Sequence, residues 1–138
     1  MEPVNALIDA GPLVGYLDQS DQWHDFAVAV FRQVQFPAFT CEAVLSEAAY
    51  LLRGSARARA GLLEIVDVGA LQVLPVFPDG RAYVRAVLSR YGERSNLADA
   101  GLLWLAESHP AATILTTDKR DFARYRLGTG RSPHLLAP

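Results

Sequence analysis

The segment ALIDAGPLVGYLD, residues 6–18, joins a short apolar run to an aspartate and a turn. The apolar residues of VNALI, 4–8, predict a buried strand, which Asp9 and Gly11 bring to an end. The proline that follows suits the first turn of a short helix over 12–17. Asp9 thus comes directly after a strand, where it either stabilises a turn through its own side chain or binds a cation.

Strands and helices are expected to alternate along the rest of the chain. Four further segments read as short strands, and they cover residues 36–40, 70–76, 112–117 and 133–137. Apolar residues at helical spacing predict helices over 23–34, 41–53, 56–66, 79–91 and 97–108, with a short one beginning near 118. This alternation favours a parallel α/β sheet of four to five strands with helices on both faces. The carboxyl ends of its strands share one edge, where open α/β sheets bind ligands.

The N-cap positions of four helices hold polar side chains, whose oxygen atoms can accept hydrogen bonds from free backbone N–H groups. We expect Ser20 or Asp21 to cap the second helix in chain order, and Thr40 to cap the third. Asn96 and Asp118 are expected to cap the helices that follow them.

The length of 138 residues suits one domain, and neither a repeat nor a linker divides the chain, so we expect a single domain over 1–138. The one cysteine, Cys41, excludes an internal disulfide and suits a reducing cytoplasm. No apolar run reaches the roughly 18 residues of a membrane-spanning helix, and the N-terminus lacks a signal-peptide pattern. A cytoplasmic protein without a membrane segment is therefore expected.

The charges are unevenly distributed. The net charge of −2 argues against a protein that coats nucleic acid broadly. Residues 1–52 hold seven acids and one base, whereas residues 53–138 hold eight acids and twelve bases. Arginine supplies twelve of the thirteen basic residues, and its guanidinium group binds phosphate in a bidentate manner. The high arginine content either suits binding to a nucleic-acid backbone or reflects a compositional bias of the source genome.

Four acids are expected near the carboxyl edge of the sheet. Asp9 and Asp118 each follow a strand, Glu47 lies one to two turns into the helix after the second strand, and Asp99 lies in the first turn of its helix. Each acid alone has a structural explanation: Asp99, for instance, forms a capping-box pattern with Asn96. A functional interpretation rests on four acids from separate elements that point to one edge.

Several carboxylates within about 4–6 Å of one another either have raised pKa values or bind cations. Oxygen-only ligands favour Mg²⁺ or Mn²⁺. Zinc is disfavoured, because Cys41 stands alone and the three histidines show no ligand spacing. A hard divalent ion held by acids suits phosphodiester hydrolysis. Arginines together with Lys119 could bind the phosphates of a nucleic-acid strand.

Four motifs in this order carry a family resemblance, and they are LIDAGPLVGYLD, CEAVLSEAAYLL, NLADAGLLWLAE and ILTTDKRDF. Together they resemble the acidic motifs of PIN-domain ribonucleases of the VapC toxin type. The resemblance extends from residue 6 to about residue 125. Each motif alone is weakly specific, whereas four in order at this spacing are strongly so.

The resemblance implies a three-layer α/β/α sandwich and an RNA endonuclease that depends on Mg²⁺ or Mn²⁺. It assigns Asp9, Glu47, Asp99 and Asp118 as the catalytic acidic quartet. Asp9, Asp99 and Asp118 would bind the metal, and Glu47 would do so directly or through water. Toxins of this type are usually homodimers, and a cognate antitoxin neutralises them by laying a helical tail into a groove beside the active site.

The chain departs from the family pattern at Asn96, where many relatives carry a further acid. Asparagine still caps a helix but brings no charge to a second metal. Thr116 and Thr117, at the end of a strand, are candidates for an accessory hydroxyl at the metal, although both also fit plain β-propensity.

Basic residues outside the acidic motifs are candidates for contact with RNA or antitoxin. In RGSARARAG, residues 53–61, these are Arg57 and Arg59, and the segment reads either as a mobile basic loop or as a solvated connection between helices. Lys119 and Arg120 directly follow the last acid of the quartet.

Two other classes of function compete with the nuclease. A catalytically silent PIN-like module would bind RNA or protein without cleavage, but it has no evident reason to keep four mutually repelling acids. An aspartyl phosphatase usually has a second acid two residues after the first, where this chain has Gly11. A receiver domain needs paired acids at the first strand, and Asp9 has no adjacent acid.

Overall fold

The computed structural model describes residues 3–138, which contain a five-stranded sheet whose neighbouring strands are all parallel. Its strands are β1 (Ala6–Ile8), β2 (Ala38–Thr40), β3 (Leu71–Val73), β4 (Thr113–Leu115) and β5 (Leu135–Leu136). They lie in the order β3-β2-β1-β4-β5, and Leu7 of β1 pairs with Phe39 on one side and Ile114 on the other. The predicted parallel α/β sheet is confirmed, and every strand is shorter than its predicted segment.

The helices connect these strands. In the described part of the chain they are α1 (Ala10–Leu17), α2 (His24–Phe31), α3 (Glu42–Leu51), α4 (Ala56–Asp67), α5 (Arg81–Tyr91), α6 (Leu97–Ser108) and α7 (Lys119–Arg124). A 3₁₀ turn, Gly92–Arg94, separates α5 from α6. Within residues 3–138, no helix has both the length and the apolar character that a membrane crossing requires.

The direction of winding reverses at the centre of the sheet. From β1 the chain moves to β2 and then β3 on one side, and it afterwards crosses back to β4 and β5 on the other side. Right-handed crossovers therefore place α1–α4 on one face and α5 and α6 on the opposite face. The adjacent strands β1 and β4 flank the point of reversal, and in doubly wound sheets ligands bind beyond the carboxyl ends of the strands at such a point.

Helix α6 is held close to the sheet because its first two turns consist largely of small residues. Ala98 is 5% exposed and Ala100 is fully buried. At Gly101, an added Cβ would lie 2.9 Å from Sγ of Cys41, which is also buried. This close approach fixes the start of α6, and with it Asp99, beside the start of α3.

Two of the predicted helix caps are wrong. Helix α2 begins after Trp23 without a side-chain cap, and Asp21 instead accepts a hydrogen bond from the Trp23 N–H in the preceding turn. The hydroxyl of Thr40 donates to the backbone oxygen of Ile8 at 2.8 Å, which leaves Cys41 in the N-cap position of α3. Thr40 thereby ties β2 to β1, a use of the hydroxyl that the local sequence does not signal.

The helix predicted over 56–66 is confirmed as α4, so of the two interpretations of residues 53–61 the mobile basic loop does not hold over 56–61, and residues 53–55 connect α3 to α4. Residues 56–61 belong to α4, and Ser55 caps that helix by accepting a hydrogen bond from the Ala58 N–H. The other predicted caps, Asn96 and Asp118, stand where expected.

Candidate active site

Two of the four predicted acids lie beside the winding reversal. Asp9 follows β1 directly, and its backbone N–H donates to the oxygen of Leu115, the last residue of β4, at 2.9 Å. Asp118 lies three residues beyond the same strand end. The sheet thus brings together residues that are more than a hundred positions apart in the chain.

The carboxylate of Asp9 is buried and held from two sides. Only 7% of the residue is exposed. It caps α1, as Oδ1 accepts a hydrogen bond from the Ala10 N–H at 2.8 Å, and Oδ2 accepts one from the Thr116 hydroxyl at 2.7 Å. Burial raises the pKa of Asp9 above its ordinary value, and these two hydrogen bonds oppose the rise.

Thr116 connects two of the acids. Its fully buried hydroxyl donates to Asp9 and accepts a hydrogen bond from the Asp118 N–H at 2.9 Å. Thr117 has a different role, because its side chain packs against the backbone of Gly11 and fills the space that a Cβ there would need. Of the two predicted accessory threonines, Thr116 therefore contacts the acids and Thr117 shapes the turn after β1.

Asp99 lies at the start of α6 and is 7% exposed. Its backbone N–H donates to Oδ1 of the cap residue Asn96 at 2.8 Å. Its own carboxylate accepts a hydrogen bond from the Tyr125 hydroxyl at 2.7 Å. The pKa of Asp99 is raised from 3.8 to about 7, chiefly by burial, with smaller contributions from the charges of Asp9, Glu47 and Asp118.

Glu47 and Asp118 are exposed. Partial desolvation of the carboxyl group by the surrounding protein is still the largest cause of a raised pKa in each, and the charges of Asp9 and Asp118 raise the pKa of Glu47 further. Asp118 also caps α7, because Oδ1 accepts a hydrogen bond from the Asp121 N–H at 3.1 Å. The four predicted acids therefore share one electrostatic neighbourhood, with two held firmly and two at the surface.

The acids do not form a closed ligand set. Within residues 3–138, no three Asp, Glu, His or Cys side chains lie in a geometry that could hold a metal ion. The assignment of these residues as metal ligands remains a prediction.

The chemistry of this donor set nevertheless fits a hard divalent cation. In the described part of the chain, the ion pairs are Arg94–Asp121 and Arg124–Asp121, and neither involves an acid of the quartet. Buried Asp9 and Asp99 therefore lack an ion-paired base, although burying a carboxylate without a counter-charge is costly. The ligands that these acids would offer to a cation are all carboxylate oxygen atoms, which suit Mg²⁺ or Mn²⁺.

The four basic residues predicted to contact RNA or antitoxin lie on two different helices, α7 and α4. Lys119 and Arg120 are exposed in the first turn of α7, next to Asp118. Arg57 is on α4 and lines a groove of about 860 Å³ between α4 and the end of α1. Arg59 is also on α4, where its Nε donates to the backbone oxygen of Ala49 at 2.7 Å.

Sequence reasoning missed Tyr125. It is fully buried, and its hydroxyl is directly bonded to Asp99. The only local signal is its position three residues after Phe122, a spacing that indicates an apolar face of a helix and nothing about a polar contact. The pairing joins residues 26 positions apart and becomes visible only once α6 and α7 are placed.

The reversal in winding defines a doubly wound α/β protein, and its acids lie at the switch point, where proteins of this class bind ligands. The sequence matches the PIN domain family over residues 6–127, so the chain belongs to that family. The PIN-domain resemblance that the four motifs indicate is thereby confirmed. No curated protein matches the sequence.

Solved structures with the same fold include one VapC toxin and two DNA-bound VapBC structures. VapC20 from Mycobacterium tuberculosis, a sarcin–ricin-loop-cleaving toxin, is 18% identical, with 80% of this chain and 87% of that chain covered and a TM-score of 0.71. DNA-bound VapBC from Salmonella typhimurium is 16% identical over 97% and 98% of the two chains, with a TM-score of 0.61. VapBC2 from Rickettsia felis, bound to a promoter DNA fragment, is 14% identical over 98% and 99%, with a TM-score of 0.62.

Proposed function

We propose that the protein is a metal-dependent RNA endonuclease that acts as the toxin of a toxin–antitoxin pair. The observation that carries this proposal is the group of four acids without ion-paired bases at the switch point of a PIN-domain fold. Clustered acids repel one another and raise one another's pKa values, so retaining them favours a role that uses their charge. The proposed cofactor is Mg²⁺ or Mn²⁺.

Each acid has a proposed task in the reaction. Asp9, Asp99 and Asp118 would hold the cation, with Glu47 binding it directly or through water. When bound, a divalent ion supplies Lewis-acid stabilisation of the phosphoryl oxygen and a lower pKa for a bound water. The Thr116 hydroxyl fixes the orientation of Asp9 and the backbone of Asp118.

RNA is the proposed substrate, and the basic residues of α7 support this. Lys119 and Arg120 are exposed directly beside Asp118, where their charges can bind the phosphates that flank a scissile bond. Neutral Asn96, at the start of α6, adds no charge, so we propose that the quartet acts without a fifth acid.

A cognate antitoxin is the proposed protein partner, because the similar Salmonella and Rickettsia structures are VapBC complexes. The groove of about 860 Å³ between α1 and α4 is the proposed binding site for the helical tail of the antitoxin. Arg57, which lines that groove, would then contact antitoxin rather than RNA. Homodimerisation and a cytoplasmic location complete the proposal.

The test is induced expression followed by mapping of new RNA ends. We expect wild-type protein to produce specific new ends and Asp9→Asn to produce none, since this variant removes one buried charge at nearly unchanged volume. Asp25→Asn, an exposed acid of α2, is the matched control and should cut as wild type does. If Asp9→Asn still cuts at the wild-type rate, the assignment of Asp9 is wrong. If wild-type protein binds RNA without cutting it, the chain is a binding module instead.

A further inference from the structure

The hydroxyl of Tyr125 lies between two oxygen acceptors. Oδ2 of Asp99 is 2.7 Å away, and the backbone oxygen of Arg94 is 3.2 Å away. A phenol has a single proton to donate, and the shorter distance assigns it to the carboxylate. Within residues 3–138, Tyr125 supplies the one hydrogen bond that the carboxylate of Asp99 accepts.

The position of this hydroxyl is fixed by the packing of its ring. Tyr125 has no exposed surface. Its ring meets Tyr91 edge-on, with ring centroids 4.9 Å apart, and Phe122 edge-on, with centroids 5.3 Å apart. Such contacts are favourable aromatic geometries, and they leave the ring little freedom to rotate. The hydroxyl is therefore a rigid donor aimed at one oxygen of Asp99.

We propose that Tyr125 is a positioning residue of the acidic site, which holds Oδ2 of Asp99 so that Oδ1 stays available to the cation. Carboxylates that ligate metals are commonly oriented by a hydrogen bond from an outer residue, and losing that residue typically weakens metal binding about 10–100-fold. The inference rests on the proposed function, because it treats Asp99 as a ligand of the cation. It adds a residue that contacts neither the cation nor the substrate.

The test compares Tyr125→Phe with Tyr91→Phe. The Tyr91 hydroxyl belongs to the same aromatic cluster but accepts a hydrogen bond from the Arg126 N–H at 2.9 Å. Calorimetric titration with Mn²⁺ should show an affinity about tenfold or more weaker for Tyr125→Phe and unchanged for Tyr91→Phe. Thermal unfolding without metal reports whether each variant is folded. RNA cleavage by Tyr125→Phe should recover toward the wild-type rate as the Mn²⁺ concentration is raised.

A double variant separates positioning from a general structural effect. In the Asp99→Ala background both the metal contact of residue 99 and the acceptor of the Tyr125 hydroxyl are absent, so adding Tyr125→Phe should weaken Mn²⁺ binding no further. A loss of affinity that is equally large in both backgrounds would overturn the inference, and so would wild-type affinity in Tyr125→Phe alone. A wild-type protein that binds no Mn²⁺ would overturn the proposed function and this inference together.

Discussion

Three of the four acids stand at the start of a helix, and this position gives each carboxylate two compatible tasks. Asp9 and Asp118 cap helices with one oxygen, and one oxygen of Asp99 accepts a hydrogen bond from the Tyr125 hydroxyl. An ionised carboxylate has about four lone-pair sites, so the two hydrogen bonds that Asp9 accepts, and the single ones at Asp118 and Asp99, leave room for a cation. Capping and metal binding are therefore not alternatives at these residues.

At the residue scale, Thr116→Val tests the link between Asp9 and Asp118. The variant keeps the shape of the side chain but removes both the donor to Asp9 and the acceptor of the Asp118 N–H. We expect unfolding in denaturant to show a loss of about 1–3 kcal/mol, together with weaker Mn²⁺ binding. Thr113→Val, at the other end of β4, is the control and should change neither measurement greatly. Equal behaviour of the two variants would contradict the role assigned to the Thr116 hydroxyl.

The raised pKa of Asp99 predicts a pH dependence of stability in the absence of metal. The pKa is 3.8 as the ordinary value and about 7 in the fold, so the folded protein binds the proton more tightly than the unfolded chain does. The resulting stability is fully present below about pH 4 and is lost as pH rises through about 7, by an amount on the order of 2–4 kcal/mol. Melting temperatures measured between pH 4 and 8 should fall accordingly.

Divalent metal should reverse this loss, because it binds the folded state preferentially. Asp99→Asn should flatten the pH profile, whereas the exposed Asp25→Asn should not. A melting temperature that responds to neither pH nor metal would argue against a shared acidic site.

At the scale of elements, local patterns predicted which segments fold into strands and helices, and long-range contacts decided how their polar groups are used. Asn96 was predictable as a cap because its partner, the Asp99 N–H, is three residues away. The role of Thr40 was not predictable, because its hydroxyl donates a hydrogen bond to the backbone oxygen of Ile8, 32 residues away in the chain. The nearness of the four acids was predictable from the strand ends, whereas their role as a metal-binding quartet stays a prediction. The hydrogen bond from Tyr125 to Asp99 was not predictable, since nothing near Tyr125 in the sequence signals it.

Asp99 is placed by the close packing of α6 against the start of α3, and a substitution at Gly101 tests that packing. In Gly101→Ala the new Cβ would lie 2.9 Å from Sγ of Cys41, a short and buried side chain that cannot swing aside. We expect a loss of about 1–3 kcal/mol in denaturant unfolding, as for other overpacked cores. Gly54→Ala, where no atom lies within 4 Å of the added Cβ, should be nearly neutral. The explanation fails if Cys41→Ala does not restore part of the loss in Gly101→Ala.

At the scale of the whole molecule, the winding order determines where chemistry can occur. The reversal between β1 and β4 opens the carboxyl edge at the centre of the sheet, and Asp9 and Asp118 follow those two strands. The alternation of elements made a parallel sheet predictable. The reversal was not predictable from alternation, because the strand order depends on which strands pair in space. The same topology with neutral residues at this edge would retain the fold without the proposed chemistry.

The most direct test of the central claim is cleavage of a defined RNA by purified protein as a function of Mn²⁺ concentration. We expect a rate that rises and saturates with metal, disappears with chelator, and is about 100-fold or more lower in Asp9→Asn than in Asp25→Asn. A cleavage rate that is the same with and without chelator, or the same in the two variants, would contradict that claim.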